Sequence, residues 1–152
     1  MTGSAKQAWA NPEPDVHRAL ARWAADCAER ALPSFEEWDS ADARPRHALD
    51  VLRAWERGEV PMTDCRTAAF AAHAAARSAT LAGAEAATAA ARAAGQAAAV
   101  AHMADHSPHA ATYAARAVAL RGAAEGGLEA ERRRQWDALD PGLRSFGFPK
   151  GL

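Results

Sequence analysis

From about Ala84 to His106 the chain is mostly alanine, broken by Glu85, Arg92, Gln96 and His102, and a similar run surrounds His73. Alanine has the highest intrinsic helix propensity, and its short side chain lets helix backbones approach closely. Isoleucine is absent, and no stretch alternates β-branched or aromatic residues with polar ones, so the composition of a sheet is missing. The expected fold is all-α: a single-domain compact bundle of five to six helices with Ala-rich close packing. The apolar fraction is 49%, but more than half of it is alanine, which predicts a thin core anchored by a few large side chains. Trp23, Trp38 and Trp55 stand at helical positions suited to that role; Trp9 and Trp136 are harder to place.

Caps and breakers divide the chain. Asp15 caps a first helix, in which Val16, Leu20, Trp23, Cys27 and Ala31 recur at helical spacing until Leu32-Pro33 stops it. Ser34 and Glu37 have the spacing of a capping box for a brief turn carrying Phe35 and Trp38. Asp42 caps a second helix with Pro45 in its first turn and Gly58 at its end, and Leu49, Leu52 and Trp55 form its buried side. A third helix runs from near Pro61 toward Gly83, and a fourth spans the alanine tract to His106. A fifth starts at Pro108 and reaches Arg121, and a last short one covers Gly127 to Leu139. These signals predict a flexible segment over 1–14, a helical domain over 15–139 and an extended tail over 140–152 whose Phe146 and Phe148 cap an apolar groove. No sustained period marks a solenoid.

The chain carries 18 Lys+Arg against 19 Asp+Glu. No net field therefore favours nucleic acid or an anionic membrane. The Arg132-Arg133-Arg134 run, beside Glu129 and Glu131, reads as a solvated helix face. No signal peptide or continuous apolar span occurs, so a cytoplasmic location is expected. Cys27 and Cys65 fit neither a redox pair nor a zinc ribbon and are expected to be free, buried thiols. The chain has no GxSxG, P-loop or GxGxxG motif for hydrolysis, phosphoryl transfer or dinucleotide chemistry, and no cofactor is implied.

The remaining chemistry lies on two stripes. Arg66, Phe70, His73 and Arg77 share one face of the third helix, and Arg92, Gln96, Ala99, Met103 and His106 share one face of the fourth. If the two helices pack antiparallel, His73, Arg77, Gln96 and His102 meet in a small cleft that Tyr113 approaches from the next helix. Asp105 lies beside the histidines. A His flanked by Asp and Arg can move protons near neutral pH, so acid–base chemistry in this cleft is one reading. His102 and His106 have the spacing of two ligands to one metal, but they lack the Glu of HExxH and better suit capping of a helix C-terminus. Arg44 and Arg46, next to Asp42, read either as a capped helix start with exposed arginines or as a docking patch for an acidic partner.

In order along the chain, the segments RWAADCAERALPSFEEW, DARPRHALDVLRAWERGE, AAFAAHAAARSA, AAARAAGQAAAVAHMADH and ATYAARA resemble a family of small helical bacterial immunity proteins, over roughly residues 16 to 138. The resemblance implies a protein that binds and neutralises a cognate toxin, and it carries over no catalytic residue. The alternative is a small-molecule ligand or substrate held in the His/Arg/Asp cleft, and homo-oligomerisation is left open. The sequence departs from the family pattern at Ser107-Pro108-His109 and in its Phe-containing tail.

Overall fold

The computed structural model describes residues 10–122 and 126–152. Trp9 and most of the segment expected to be flexible lie outside the described residues. Seven α-helices form: α1 (Pro14–Glu36), α2 (Arg44–Glu56), α3 (Met62–Leu81), α4 (Glu85–Ala99), α5 (Ser107–Arg121), α6 (Gly127–Ala138) and α7 (Arg144–Gly147). Short 3₁₀ turns cover Ala104–His106 and Pro141–Leu143, and no strand occurs among the described residues. The all-α expectation holds, with more helices than the five to six expected.

At the centre, α4 packs against α1, α2, α3 and α5, while α6 and α7 attach to α5. Its buried face is alanine at nearly every turn, from Ala87 to Ala98, with Gly95 among them. Ala68, Ala72, Ala75 and Ala79 of α3 and Ala110, Ala111, Ala114 and Ala117 of α5 are buried in the same way. The bulk is concentrated on α1 and α2, where Leu20, Leu32, Phe35, Leu49 and Leu52 are almost wholly removed from solvent. Alanines therefore surround the side of the molecule on which the polar stripes lie.

The first helix corrects the expected stop at Pro33, because α1 runs through that proline to Glu36. An interior proline costs about 3 kcal/mol or more. Leu32 and Phe35 on either side of it are fully buried, and each such burial contributes roughly 1.5–3 kcal/mol, so packing holds the last turn helical. The brief helix expected at Ser34 is thus the end of α1. Trp38, expected in the core, is 39% exposed and meets Phe35 edge-on beyond that end. Trp55 is only partly buried and lies against His17, 5.0 Å between ring centroids.

The fourth helix is shorter than its alanine content suggests. It ends at Ala99, and two residues from the start of the chain hold the turn that follows. Buried His17 donates from Nε2 to the carbonyl of Val100. Asn11 donates from Nδ2 to the carbonyl of His102 at 2.9 Å and accepts the amide of Ala104 at 2.9 Å. These bonds supply partners to backbone groups that a helix end leaves unsatisfied.

Beyond α6 the chain is helical where an extended tail was expected, turning at Pro141–Leu143 and again in α7. Phe148 is buried between Trp23 and Trp136, at centroid distances of 5.7 and 5.1 Å. The arginine run is a solvated face in part: Arg133 and Arg134 are exposed, but Arg134 pairs with Glu131 at 2.8 Å and the Arg132 guanidinium stacks over Phe148 at 4.4 Å. Glu131 is fully buried and also receives two hydrogen bonds from Arg30, at 2.8 and 2.9 Å. Only Arg133 of the three has no ion pair or stacking contact among the described residues.

Candidate functional site

His73, Arg77, Arg92, Gln96 and Tyr113 line one cleft of about 300 Å³ between α3, α4 and α5. It abuts a second depression of about 370 Å³ that shares Arg92 and Tyr113 and is otherwise bounded by Thr80, Gly83, Ala84, Glu85, Thr88, Ala89 and Arg116. Four of the expected residues, His73, Arg77, Gln96 and Tyr113, thus lie together. Arg92 belonged to the stripe read from the sequence, whereas Arg116, one turn beyond Tyr113 on α5, was not among the expected residues.

The floor of the cleft depends on a glycine. A Cβ at Gly95 would lie 2.6–2.8 Å from three atoms of the His73 ring, well inside van der Waals contact. The imidazole therefore rests on bare α4 backbone, and no hydrogen bond to its nitrogens occurs among the described residues. Burial pushes its pKa below the ordinary histidine value, and the nearby Arg92, Arg77 and His106 push it the same way, so His73 is neutral at pH 7.

Gln96 extends the group to one further residue, since His106 Nδ1 and Gln96 Oε1 are paired at 2.8 Å. His106 titrates below its usual range as well, first through burial, with His109 and His102 assisting and Asp105 opposing. It reaches Gln96 from the 3₁₀ turn after α4, and not from the α4 stripe on which it was expected.

His102 and Asp105 do not join the cleft. Both are exposed, His102 in the turn after α4 and Asp105 in the 3₁₀ turn. The one-turn helical spacing proposed for a His102–His106 metal pair is lost because α4 ends at Ala99, and no group of three or more His, Cys, Asp or Glu side chains suited to a metal occurs among the described residues. Arg44 and Arg46 are committed to local pairs. Arg44 holds Asp42 at 2.7 Å, and Arg46 makes two bonds to Glu36 at 2.6 and 2.7 Å. Their charges are matched within the protein, so the docking-patch reading loses its free cations. Cys27 and Cys65 are both free and buried, and burial beside Asp64 lifts the Cys65 thiol to about 11.

The arginines differ in how they are used. Arg18, Arg22, Arg30, Arg44, Arg46, Arg53, Arg57, Arg121 and Arg134 each have a carboxylate partner. The other seven have none among the described residues; of these, Arg77 and Arg92 line the cleft and Arg116 lines the adjoining depression. The guanidinium of Arg92 lies 6.0 Å from the Tyr113 ring centroid, at the outer limit of a cation–π contact. Glu85 is the sole carboxylate in the lining, and it pairs with none of them.

The chain matches the family described as "Imm-5 like putative immunity protein" over residues 10–141. No curated protein and no solved structure matches it.

Proposed function

We propose that this chain, which belongs to the Imm-5 like immunity-protein family, binds a partner toxin and neutralises it by occupying its working surface. The observation that carries this reading is the extent of the match, which runs from the Asn11 segment through α6. The outer face of α3 supplies a surface of the right kind. Phe70 is 64% exposed there, between Arg66 and Arg77, both exposed and without ion pairs among the described residues. Aromatic and arginine side chains are enriched among the residues that dominate interface energetics, and two free cations around an aromatic ring favour an acidic patch on the toxin.

The reading places the protein in the cytoplasm with the toxin it restrains; no helix among the described residues is long and apolar enough to cross a membrane. It requires neither metal nor cofactor. The test mixes the purified chain with toxins encoded by neighbouring genes and measures complex formation by calorimetry and protection of cells on co-expression. A stoichiometric complex is expected, weakened about tenfold or more by Phe70→Ala or Arg66→Ala, as for interface anchors. Absence of a complex with every neighbouring toxin would reject the reading.

A further inference from the structure

From the unpaired arginines we infer that the cleft between α3, α4 and α5 binds a small organic oxyanion, its phosphate or carboxylate group between Arg77 and Arg92 and its remainder along Thr80, Thr88 and Tyr113. This site shares Arg77 with the proposed toxin-binding face of α3 but involves neither Phe70 nor Arg66. Three arginines on three different helices border two adjoining depressions, Arg77 the inner one, Arg116 the outer one and Arg92 both, and none of the three has a carboxylate partner among the described residues. Arg92 is half-buried with Arg77 and Arg116 exposed on either side of it, an anion would offset their like charges, and a guanidinium presents a planar fork that matches a carboxylate or phosphate. Glu85 stands at the outer depression, beside Arg92 and Arg116. It leaves Arg77 and the inner cleft without a carboxylate.

The neighbouring groups suit an anion too. His73 is held neutral, so the inner cleft can donate from its imidazole without adding to the repulsion among the arginines. Gln96 and Tyr113 add uncharged polar groups, and Thr80 and Thr88, which face each other at 3.2 Å, line the outer part. A volume of about 300 Å³ for the inner part is at the lower end of small-molecule sites, and the adjoining depression gives room for an organic group.

Inorganic phosphate and acetate, titrated separately into the full chain at matched ionic strength against chloride, test this with His73 ring resonances as the reporter. At least one of the two is expected to give a saturable shift and to raise the His73 pKa, because a bound anion offsets Arg77 and Arg92. Arg77→Gln and Arg92→Gln should each weaken binding about tenfold, the loss of one charged hydrogen bond, and Arg66→Gln, on the same helix but outside the cleft, should leave it unchanged. Arg77 is exposed and unpaired, so its variant keeps the fold even if the Arg92 variant does not. No saturable shift with either anion, or equal weakening by Arg66→Gln, would overturn the proposal. So would loss of toxin binding on Arg92→Gln in a protein that binds neither anion, which would assign the cleft to a side chain of the toxin.

Discussion

The imidazole of His73 sits where a side chain at position 95 would be, within 2.6–2.8 Å of the place a Gly95 Cβ would occupy. Gly95 is an ordinary helical position, so its lack of a side chain is used for this close approach and not for an unusual backbone angle.

The pair makes a double-mutant cycle with opposite signs. Gly95→Ala alone displaces the ring and lowers the melting temperature, even though alanine is favoured over glycine in a helix by about 1 kcal/mol. In a His73→Ala background the same change should stabilise by about that amount. Stabilisation by Gly95→Ala in the parent chain would show that His73 does not need its seat.

The two depressed histidines set a pH window. Burial, with Arg92 and Arg77 at His73, holds both neutral in the folded state, whereas the unfolded chain protonates them near pH 6.5. Below that pH the unfolded chain binds more protons, so stability falls as pH drops from about 6.5 toward the folded pKa values and is not regained below them. Chemical denaturation from pH 7.5 down to 5 should show this slope, reduced in His73→Gln. An unchanged slope in the variant would exclude His73 as a source.

Glu131 acts at lower pH. Burial raises its pKa, but the bonds from Arg30 and Arg134 outweigh burial and leave it below the usual carboxylate range. Its stabilisation is present above about pH 4.5 and is lost as acid protonates the folded state. Glu131→Ala should cost about 1–3 kcal/mol at neutral pH by leaving the guanidinium pair without its acceptor, and it should flatten acid unfolding below pH 4.5. Urea unfolding at pH 7 and pH 4 distinguishes this from a simple packing loss, which would be equal at both.

Asn11 bridges the chain start to the turn after α4 through two bonds at 2.9 Å. Asn11→Ala should therefore cost about 1–2 kcal/mol and speed amide exchange at Ala104 far more than in the middle of α4. Uniform exchange across α4 and the turn would mean that His17 alone holds the helix end.

Tryptophan fluorescence reports on the tail. Phe148→Ala removes the ring shared by Trp23, Trp136 and the Arg132 guanidinium, and truncating a buried Phe costs about 3 kcal/mol or more. The emission should shift to the red before global unfolding, and a coincident change would show that the tail and the bundle unfold as one unit.

Much of the helix pattern was legible because its signals are local. Pro45 and Gly58 mark the ends of α2 and Pro108 the start of α5 through their own backbone chemistry, and the stripe of Arg66, Phe70, His73 and Arg77 follows from helical spacing. The misreadings have nonlocal causes. Pro33 continues α1 because distant helices bury Leu32 and Phe35, and α4 ends early where Asn11 and His17, more than 80 residues away, hold the carbonyls of His102 and Val100 in the turn that follows it.

The sequence by itself determined that the chain is helical and that His73 and Arg77 share one stripe of α3 and Arg92 and Gln96 one of α4, since propensity and periodicity are properties of neighbouring residues. Tertiary structure alone decided which charges are left free. Arg44, Arg46 and Arg134 look as available in the sequence as Arg77 and Arg92 do, but folding gives the first three a carboxylate and brings the other two to one cleft, with Arg116 in the adjoining depression. Availability is a relation between residues that only packing brings within a few ångströms, and Coulomb pairing acts at that range.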